Sequence, residues 1–117
     1  MILQNNMYSV TGTSADSIGV RLNAGHPIYQ AHFPGNPITP GVCLVQMVGE
    51  LLGNRVGRHL QLSKVVNLKF IAPVSPQEKP DLEVRFTAVD DDGATLKARG
   101  SIEAEGAVLT KFSLVFV

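Results

Sequence analysis

Several features that would place a sequence in a common functional class are scarce or missing in this chain of 117 residues. A single cysteine, Cys43, excludes a disulfide within the chain, and its apolar neighbours predict a buried side chain. Ten basic and ten acidic residues cancel, so the chain has no strong field to attract nucleic acid or anionic lipid. No apolar run approaches the roughly 18 residues of a membrane span, and the first residues lack the pattern of a secretory signal. We therefore expect a cytoplasmic protein with no membrane span and no nucleic-acid partner.

The sequence patterns of common cofactor and metal sites are also missing. There is no glycine-rich nucleotide loop, no pair of cysteines, and no cluster of histidines and carboxylates at ligand spacing. We predict neither an organic cofactor nor a metal ion. The length suits a single domain over residues 1–117, and 44% hydrophobic residues are enough to form a core.

Alternation of apolar and polar residues is the main structural signal in the chain. It predicts strands over residues 7–11, 17–22, 64–72, 82–88 and 95–103, and a last strand that ends at residue 117. Residues 41 to about 58 are apolar around most of a helical circumference, which predicts a buried helix. Because no further helices alternate with the strands, we expect an α+β fold in which an antiparallel sheet of about six strands is wrapped around one long central helix. The sheet edge of such a domain favours the pairing of two copies.

The segment before the helix has a different composition. Residues 24–41 contain four prolines and three glycines, which predict an ordered loop with fixed turns rather than a regular element. Pro40 stands at the start of the helix, where its missing N–H costs little. His32 lies in the loop among apolar residues, and an imidazole with a pKa near the ordinary ~6.5 can act as a base. We interpret the other two histidines, His26 and His59, as structural or solvated.

Two stripes run along the predicted helix. Polar residues recur at every fourth position and therefore share one face; they are Gln46, Glu50 and Asn54. Glycines form a second stripe, where we expect another part of the chain to approach the helix closely; they are Gly49, Gly53 and Gly57.

The segment HPIYQAHFPGNPITPGVCLVQMV resembles the active-site segment of the 3-hydroxyacyl-[acyl-carrier-protein] dehydratases of bacterial fatty-acid synthesis, and its HFPGxPxxPGV string is the specific part. The resemblance implies a hot-dog fold, a long helix wrapped by an antiparallel sheet. It implies a dehydratase that converts (3R)-3-hydroxyacyl thioesters, carried by acyl carrier protein or coenzyme A, into trans-2-enoyl thioesters. It also implies a homodimer or higher homo-oligomer with the site at the dimer interface.

By the same resemblance, the family's catalytic histidine falls on His32, and the glycine whose N–H binds the thioester carbonyl falls on Gly41. Removal of a proton alpha to a thioester builds negative charge on the carbonyl oxygen, and a free N–H at a helix start is a suitable donor to it. Phe33 and Val42 are candidates for the wall of the apolar tunnel that holds the acyl chain. The basic residues available for docking a carrier protein are Arg55, Arg58, Lys64 and Lys69.

The sequence departs from the family pattern at the second catalytic position, where Gln46 stands in place of an acidic residue. Glutamine donates and accepts hydrogen bonds but does not ionise. Three interpretations stay open: His32 performs both proton transfers while Gln46 positions the leaving group, Glu50 substitutes for the acid, or the chain is an impaired subunit that needs an active partner. The rival functions are a hot-dog thioesterase that uses Glu50 and a carrier-protein-binding partner without turnover.

Overall fold

The computed structural model of the protein describes residues 2–31 and 35–117. In that part of the chain, six strands and two helices follow one another as β1 (Tyr8–Thr13), β2 (Ser17–Leu22), α1 (Ile28–Ala31), α2 (Gly41–Val56), β3 (Leu62–Phe70), β4 (Asp81–Asp91), β5 (Leu96–Ala104) and β6 (Ala107–Phe116). The strands form one antiparallel sheet in the order β1-β2-β4-β5-β6-β3. The predicted α+β class, with about six antiparallel strands and one long helix, is confirmed.

The long helix begins and ends where local chemistry allows it. Pro40 precedes its first residue with φ −60° and ψ 142°, a backbone outside the helical region. At the other end Gly57 takes the left-handed conformation, φ 76° and ψ 26°, and its N–H donates to the carbonyl of Gly53. The helix therefore stops two residues before the predicted Arg58. Its inner face is buried, as predicted, through Cys43, Leu44, Met47, Val48, Gly49, Leu51 and Leu52.

Packing against the sheet explains part of the glycine stripe. A Cβ added to Gly49 would lie 2.9 Å from Cε1 of the buried Phe116, so only a glycine lets α2 lie this close to β6. A Cβ on Gly53 would lie 2.8 Å from the carbonyl oxygen of Arg58, where the chain turns back after the helix. Gly57 has open space around it and belongs to the stripe only through its spacing.

Strands β4, β5 and β6 form a meander joined by two tight turns. In the first, the Asp92 carboxylate accepts hydrogen bonds from the N–H groups of Ala94 and Thr95, at 2.9 and 2.7 Å. In the second, Glu105 and Gly106 have φ values of 52° and 80°, as a two-residue hairpin turn requires. Both turns lie in the gaps between the strands predicted over residues 82–88 and 95–103 and the predicted last strand.

The proline-rich segment contains one element that was not predicted. Residues Ile28–Ala31 form a single helical turn, α1, inside the segment that we expected to be entirely loop. Pro27 supplies a backbone angle compatible with a helix start, and Nδ1 of His26 accepts a hydrogen bond from the N–H of Ile28 at 3.1 Å. The expectation that His26 is structural is confirmed, because this residue caps the turn.

Strand β3 lies at one edge of the sheet and pairs with β6 alone among the described strands. Its side chains are exposed along almost its whole length. The large apolar ones on this edge are Leu62, Val65, Val66 and Phe70, each 45% exposed or more. None of the helices in the described ranges has the length and hydropathy needed to cross a bilayer.

Candidate active site

A groove of about 750 Å³ follows one face of α2. Its walls come from the helix, from the sheet side and from the N-terminal segment, and they include Val42, Val45, Gln46, Gly49, Glu50, Leu60, Leu62, Phe116, Ile2 and Gln4. We call this space the α2 groove. Two predicted site residues, Val42 and Gln46, line it, and the side chain of Val42 is 75% exposed. An apolar channel beside a few polar groups is the usual form of a small-molecule site.

The carboxylate of Glu50 is the best connected polar group in the groove. Its Oε2 accepts from the N–H of Leu3 at 2.7 Å and from Nε2 of Gln46 at 3.0 Å. Its Oε1 accepts from the N–H of Gln4 at 2.9 Å and from the hydroxyl of Tyr8 at 2.8 Å. Burial of the Tyr8 ring, together with this hydrogen bond, raises the pKa of Tyr8 above its usual value. Glu50 thus ties the N-terminal segment to the helix.

The predicted polar stripe is confirmed as a continuous set of contacts. Gln46 and Glu50 are one helical turn apart, so their side chains meet on the same face. One turn further, Nδ2 of Asn54 donates to the side-chain oxygen of Gln4. Sequence reasoning did not identify Gln4 or Tyr8 as partners of this stripe. The one available signal was that a tyrosine hydroxyl, when buried, usually finds a hydrogen-bond partner.

Gly41 lies at the start of α2, beside a cavity of about 390 Å³ that Phe70 also lines. Its N–H is one of the first in the helix, so it has no acceptor within the helix, and none is found among the described residues. A Cβ added to Gly41 would lie 3.1 Å from Cε1 and from Cε2 of Phe70, and still closer to Cζ. The space that this glycine leaves empty is therefore filled by the ring of Phe70, a residue that the sequence analysis did not single out.

His32 and Phe33 lie outside the described residues, but the segments on either side of them are described. The hydroxyl of Tyr29 and Oγ1 of Thr39 are 2.9 Å apart, and both side chains are buried. The N–H of Thr39 also donates to the carbonyl of Val74 at 2.8 Å. These contacts join the two flanking segments and fix them to the body of the protein.

The predicted carrier-protein docking residues have different surroundings. Arg58 makes a two-pronged contact with Asp91, at 2.8 and 2.7 Å, and this guanidinium lowers the pKa of the Asp91 carboxyl to about 2. Arg55 donates to the carbonyls of Ser14 and Ala15. Both lysines, Lys64 and Lys69, lie on the exposed strand β3. Within the described ranges, no group of three or more His, Cys, Asp or Glu side chains could hold a metal ion.

Comparison with known protein sequences identifies the family of this chain. Residues 10–107 match the family model described as ApeI-like, the ApeI dehydratase. The 3-hydroxyacyl-[acyl-carrier-protein] dehydratase FabZ of Zymomonas mobilis is 32% identical over 96 residues, which are 74% of this chain and 61% of the relative. FabZ of Acetivibrio thermocellus is 29% identical over 111 residues, 85% of this chain and 75% of the relative. The chain thus matches about three fifths of the length of the first relative.

Comparison with solved structures shows the fold. The dehydratase heterocomplex ApeI:P from Xenorhabdus doucetiae aligns with a TM-score of 0.63 and 16% identity, over 92% of both chains. A thioesterase from Haemophilus influenzae aligns with a TM-score of 0.66 and 15% identity, over 95% of this chain and 78% of the other. These neighbours share the hot-dog fold, as the sequence resemblance implied. The resemblance to hot-dog dehydratases is therefore confirmed, and the chain belongs to the ApeI-like dehydratase family.

Proposed function

We propose that this protein is a dehydratase that removes water from (3R)-3-hydroxyacyl thioesters to give trans-2-enoyl thioesters, in fatty-acid or related acyl-chain synthesis. The match of residues 10–107 to the ApeI dehydratase family is the observation that carries this proposal. The substrate is held by acyl carrier protein or coenzyme A, the enzyme works in the cytoplasm, and the reaction uses no organic cofactor. The α2 groove supports the proposal, because it offers apolar walls for an acyl chain beside the polar atoms of Gln46.

In the proposed mechanism His32 removes the proton alpha to the thioester carbonyl. The N–H of Gly41, at the start of α2, donates a hydrogen bond to the carbonyl oxygen as negative charge develops on it. Phe33 and Val42 form part of the wall against the acyl chain. Expulsion of the 3-hydroxyl as water then requires a proton, which Gln46 cannot supply because an amide does not ionise. In this scheme His32 returns the proton that it has taken, and Gln46 positions the leaving hydroxyl.

The surroundings of Glu50 argue against the two alternatives that give it a chemical role. An ionised carboxylate has about four acceptor sites, and four protein donors already bind this one. A general acid or a thioesterase nucleophile needs one of those positions for the substrate or for water. We therefore propose that Glu50 is neither the substitute acid nor a thioesterase nucleophile.

We further propose that the active enzyme is a homodimer or larger homo-oligomer with its sites at the dimer interface. The exposed apolar side chains of the edge strand β3, together with Val42, support this arrangement, because such patches usually mark an interface. Sedimentation should give a mass of at least twice 12.5 kDa. Co-expression of His32→Ala and Gln46→Ala chains should restore activity if each site takes one residue from each subunit. A fully active monomer would contradict the proposal.

A heteromeric enzyme is the second candidate, and Gln46 favours it. One solved structural neighbour is described as a dehydratase heterocomplex. A chain that lacks the helix acid would then supply His32 and the oxyanion-binding amide, and the acid would come from a different hot-dog subunit. This candidate predicts that the purified chain alone binds 3-hydroxyacyl thioesters without turnover, and that addition of an acid-bearing subunit starts the reaction.

The decisive experiment follows enoyl formation from 3-hydroxyacyl carrier protein with the purified protein. We expect His32→Ala to abolish turnover, whereas the matched control His59→Ala should retain it, because His59 is exposed at the far end of the groove. The rate should rise with pH as a single histidine loses its proton, without a fall caused by a second group up to pH 8 or so. Unchanged turnover in His32→Ala would exclude the mechanism. Release of free thiol without enoyl product would indicate the thioesterase instead.

A further inference from the structure

We propose that Glu50 is a positioning residue that fixes the side-chain amide of Gln46 and links it to the N-terminal segment. This inference rests on the proposed dehydratase function for its kinetic consequences, although its geometric part does not. All four groups that contact the Glu50 carboxylate are donors, and an ionised carboxylate only accepts. The atom of Gln46 that faces Glu50 is therefore Nε2, because its Oε1 in that place would bring two acceptors together.

This contact sets the chemical character that Gln46 presents to a substrate. With Nε2 directed at Glu50, the carbonyl oxygen lies on the branch of the amide that does not face the carboxylate. Gln46 lines the α2 groove and is half-buried there. We infer that the orientation fixed by Glu50 decides how the amide of Gln46 meets the 3-hydroxyl of the substrate and keeps the C–O bond aligned for departure.

Glu50 is a suitable support because the groups behind it are anchored in the core. Leu3 and Tyr8, which donate to opposite oxygens of the carboxylate, are only 2% and 1% exposed. Two backbone hydrogen bonds, from the N–H groups of Asn6 and Met7 to the carbonyl of Leu3, hold the segment in a turn. A carboxylate bound on both oxygens by anchored groups has little freedom to rotate, and such support keeps a functional group in its working geometry.

The substitution Glu50→Gln tests the proposal because it preserves shape and removes half of the acceptors. A glutamine amide has one oxygen that accepts and one NH2 group that donates. Two of the four groups that donate to Glu50 would therefore face the NH2 group, which cannot accept from them. The acceptor that selects Nε2 of Gln46 for this contact is then no longer a carboxylate. We expect kcat to fall by about 10- to 100-fold, the size typical of a misplaced catalytic geometry, while KM stays nearly constant because the apolar walls are unchanged.

Tyr8→Phe is the matched control. It removes one donor to the same carboxylate and leaves the contact between Glu50 and Gln46 intact. We expect this variant to lose stability and to keep its kcat. A purely structural role for Glu50 predicts instead that both variants lose activity only in proportion to the loss of folded protein. An equal loss of kcat in the folded fractions of Tyr8→Phe and Glu50→Gln would overturn the proposal.

A further measurement completes the test. The side-chain amide signals of Gln46 in a nitrogen-correlated NMR spectrum should shift in Glu50→Gln and stay in place in Tyr8→Phe. The NMR result does not depend on turnover. If the protein dehydrates no 3-hydroxyacyl thioester, the proposed function fails while the NMR result still decides the positioning role, and unshifted Gln46 signals would refute that role.

Discussion

Replacement of Gly41 by alanine places a methyl group against the ring of Phe70, and this pair provides the sharpest test of how the start of α2 is built. The new Cβ would lie 3.1 Å from Cε1 and from Cε2 of the ring, and closer to Cζ. Carbon atoms in contact need about 3.5–4.0 Å, so the ring has to retreat by roughly 1 Å. Phe70 is 53% exposed, so it can swing outward without disturbing the core.

The expected change in stability follows from two opposing effects. Displacement of the ring should cost about 1 kcal/mol, the low end of the overpacking range, because the ring is 53% exposed in the single chain and is not part of its buried core. The gain from replacing glycine by alanine in a helix is at most about 1 kcal/mol. Gly41→Ala alone should therefore change the free energy of unfolding by less than about 1 kcal/mol. In a Phe70→Ala background only the gain remains, and the same substitution should stabilise the protein.

Activity should respond more strongly than stability, because the displaced ring stands beside the N–H that we assign to the thioester carbonyl. We expect Gly41→Ala to lower kcat/KM by about 10- to 100-fold. In the Phe70→Ala background the same substitution should change kcat/KM by no more than about threefold, since the ring is gone.

The assay combines thermal unfolding, enoyl formation and sedimentation for the four proteins of this double-mutant cycle. Sedimentation is needed because Phe70 lies on the exposed edge strand, where its loss can also weaken the proposed dimer. An equal loss of kcat/KM in both backgrounds would refute the reasoning. It would show that the substrate, rather than Phe70, needs the space beside Gly41.

Three further predictions concern stability. Tyr8→Phe should lower the free energy of unfolding by about 1.5–3 kcal/mol, because the lost hydrogen bond is made to a charged group, and a thermal melt would show this. The pKa of Tyr8 is raised in the folded protein, so the contribution of this residue to the free energy of unfolding is complete below pH 10.0 and is lost as pH rises further. The fall in stability at alkaline pH should therefore be shallower in Tyr8→Phe, and an unchanged fall would contradict this assignment. The pKa of Asp91 is lowered to about 2, so the contribution of this residue to the free energy of unfolding is present above pH 3.8 and is lost as pH falls towards 2. Urea titrations should show that Asp91→Asn loses less stability in acid, and an identical loss would count against the ion pair with Arg58. Thr39→Val leaves the buried hydroxyl of Tyr29 without its partner and should cost about 1–3 kcal/mol in urea unfolding, whereas a neutral result would mean that the contact at the loop ends is dispensable.

The elements that could be predicted from sequence are those whose signal is local. The helix Gly41–Val56 has apolar residues around most of its circumference, and β4 alternates strictly through Leu82, Val84 and Phe86. Periodicity of this kind fixes the type of an element, and the antiparallel meander follows from the short turns between strands. The single turn α1 escaped prediction because the surrounding prolines and glycines indicate loop, while its cap is a histidine, a residue outside the usual capping set.

The contacts that shape the candidate site escaped prediction for a different reason. Glu50 binds groups that lie 42 to 47 residues away in sequence, and no periodicity indicates which segment reaches it. Phe70 meets Gly41 because β3 is the last strand of the sheet and passes the start of α2, which depends on the strand order. Their spacing places Gln46, Glu50 and Asn54 on one face of α2, but spacing carries no sign that the N-terminal segment covers part of that face.

The groove also limits where the proton for the departing hydroxyl can come from. Among the described residues that line it, the side chains that ionise are Glu50, Arg58 and His59. Glu50 is bound by four donors, and Arg58 pairs with Asp91. His59 follows the end of α2, whose last residue, Val56, is almost three helical turns beyond Gln46 at about 3.6 residues per turn. None of the three can hand a proton to a hydroxyl held at Gln46. We therefore expect a homomeric enzyme to return the alpha proton through His32 and a heteromeric one to receive its acid from another subunit, so the two proposed forms of the enzyme differ in the source of one proton.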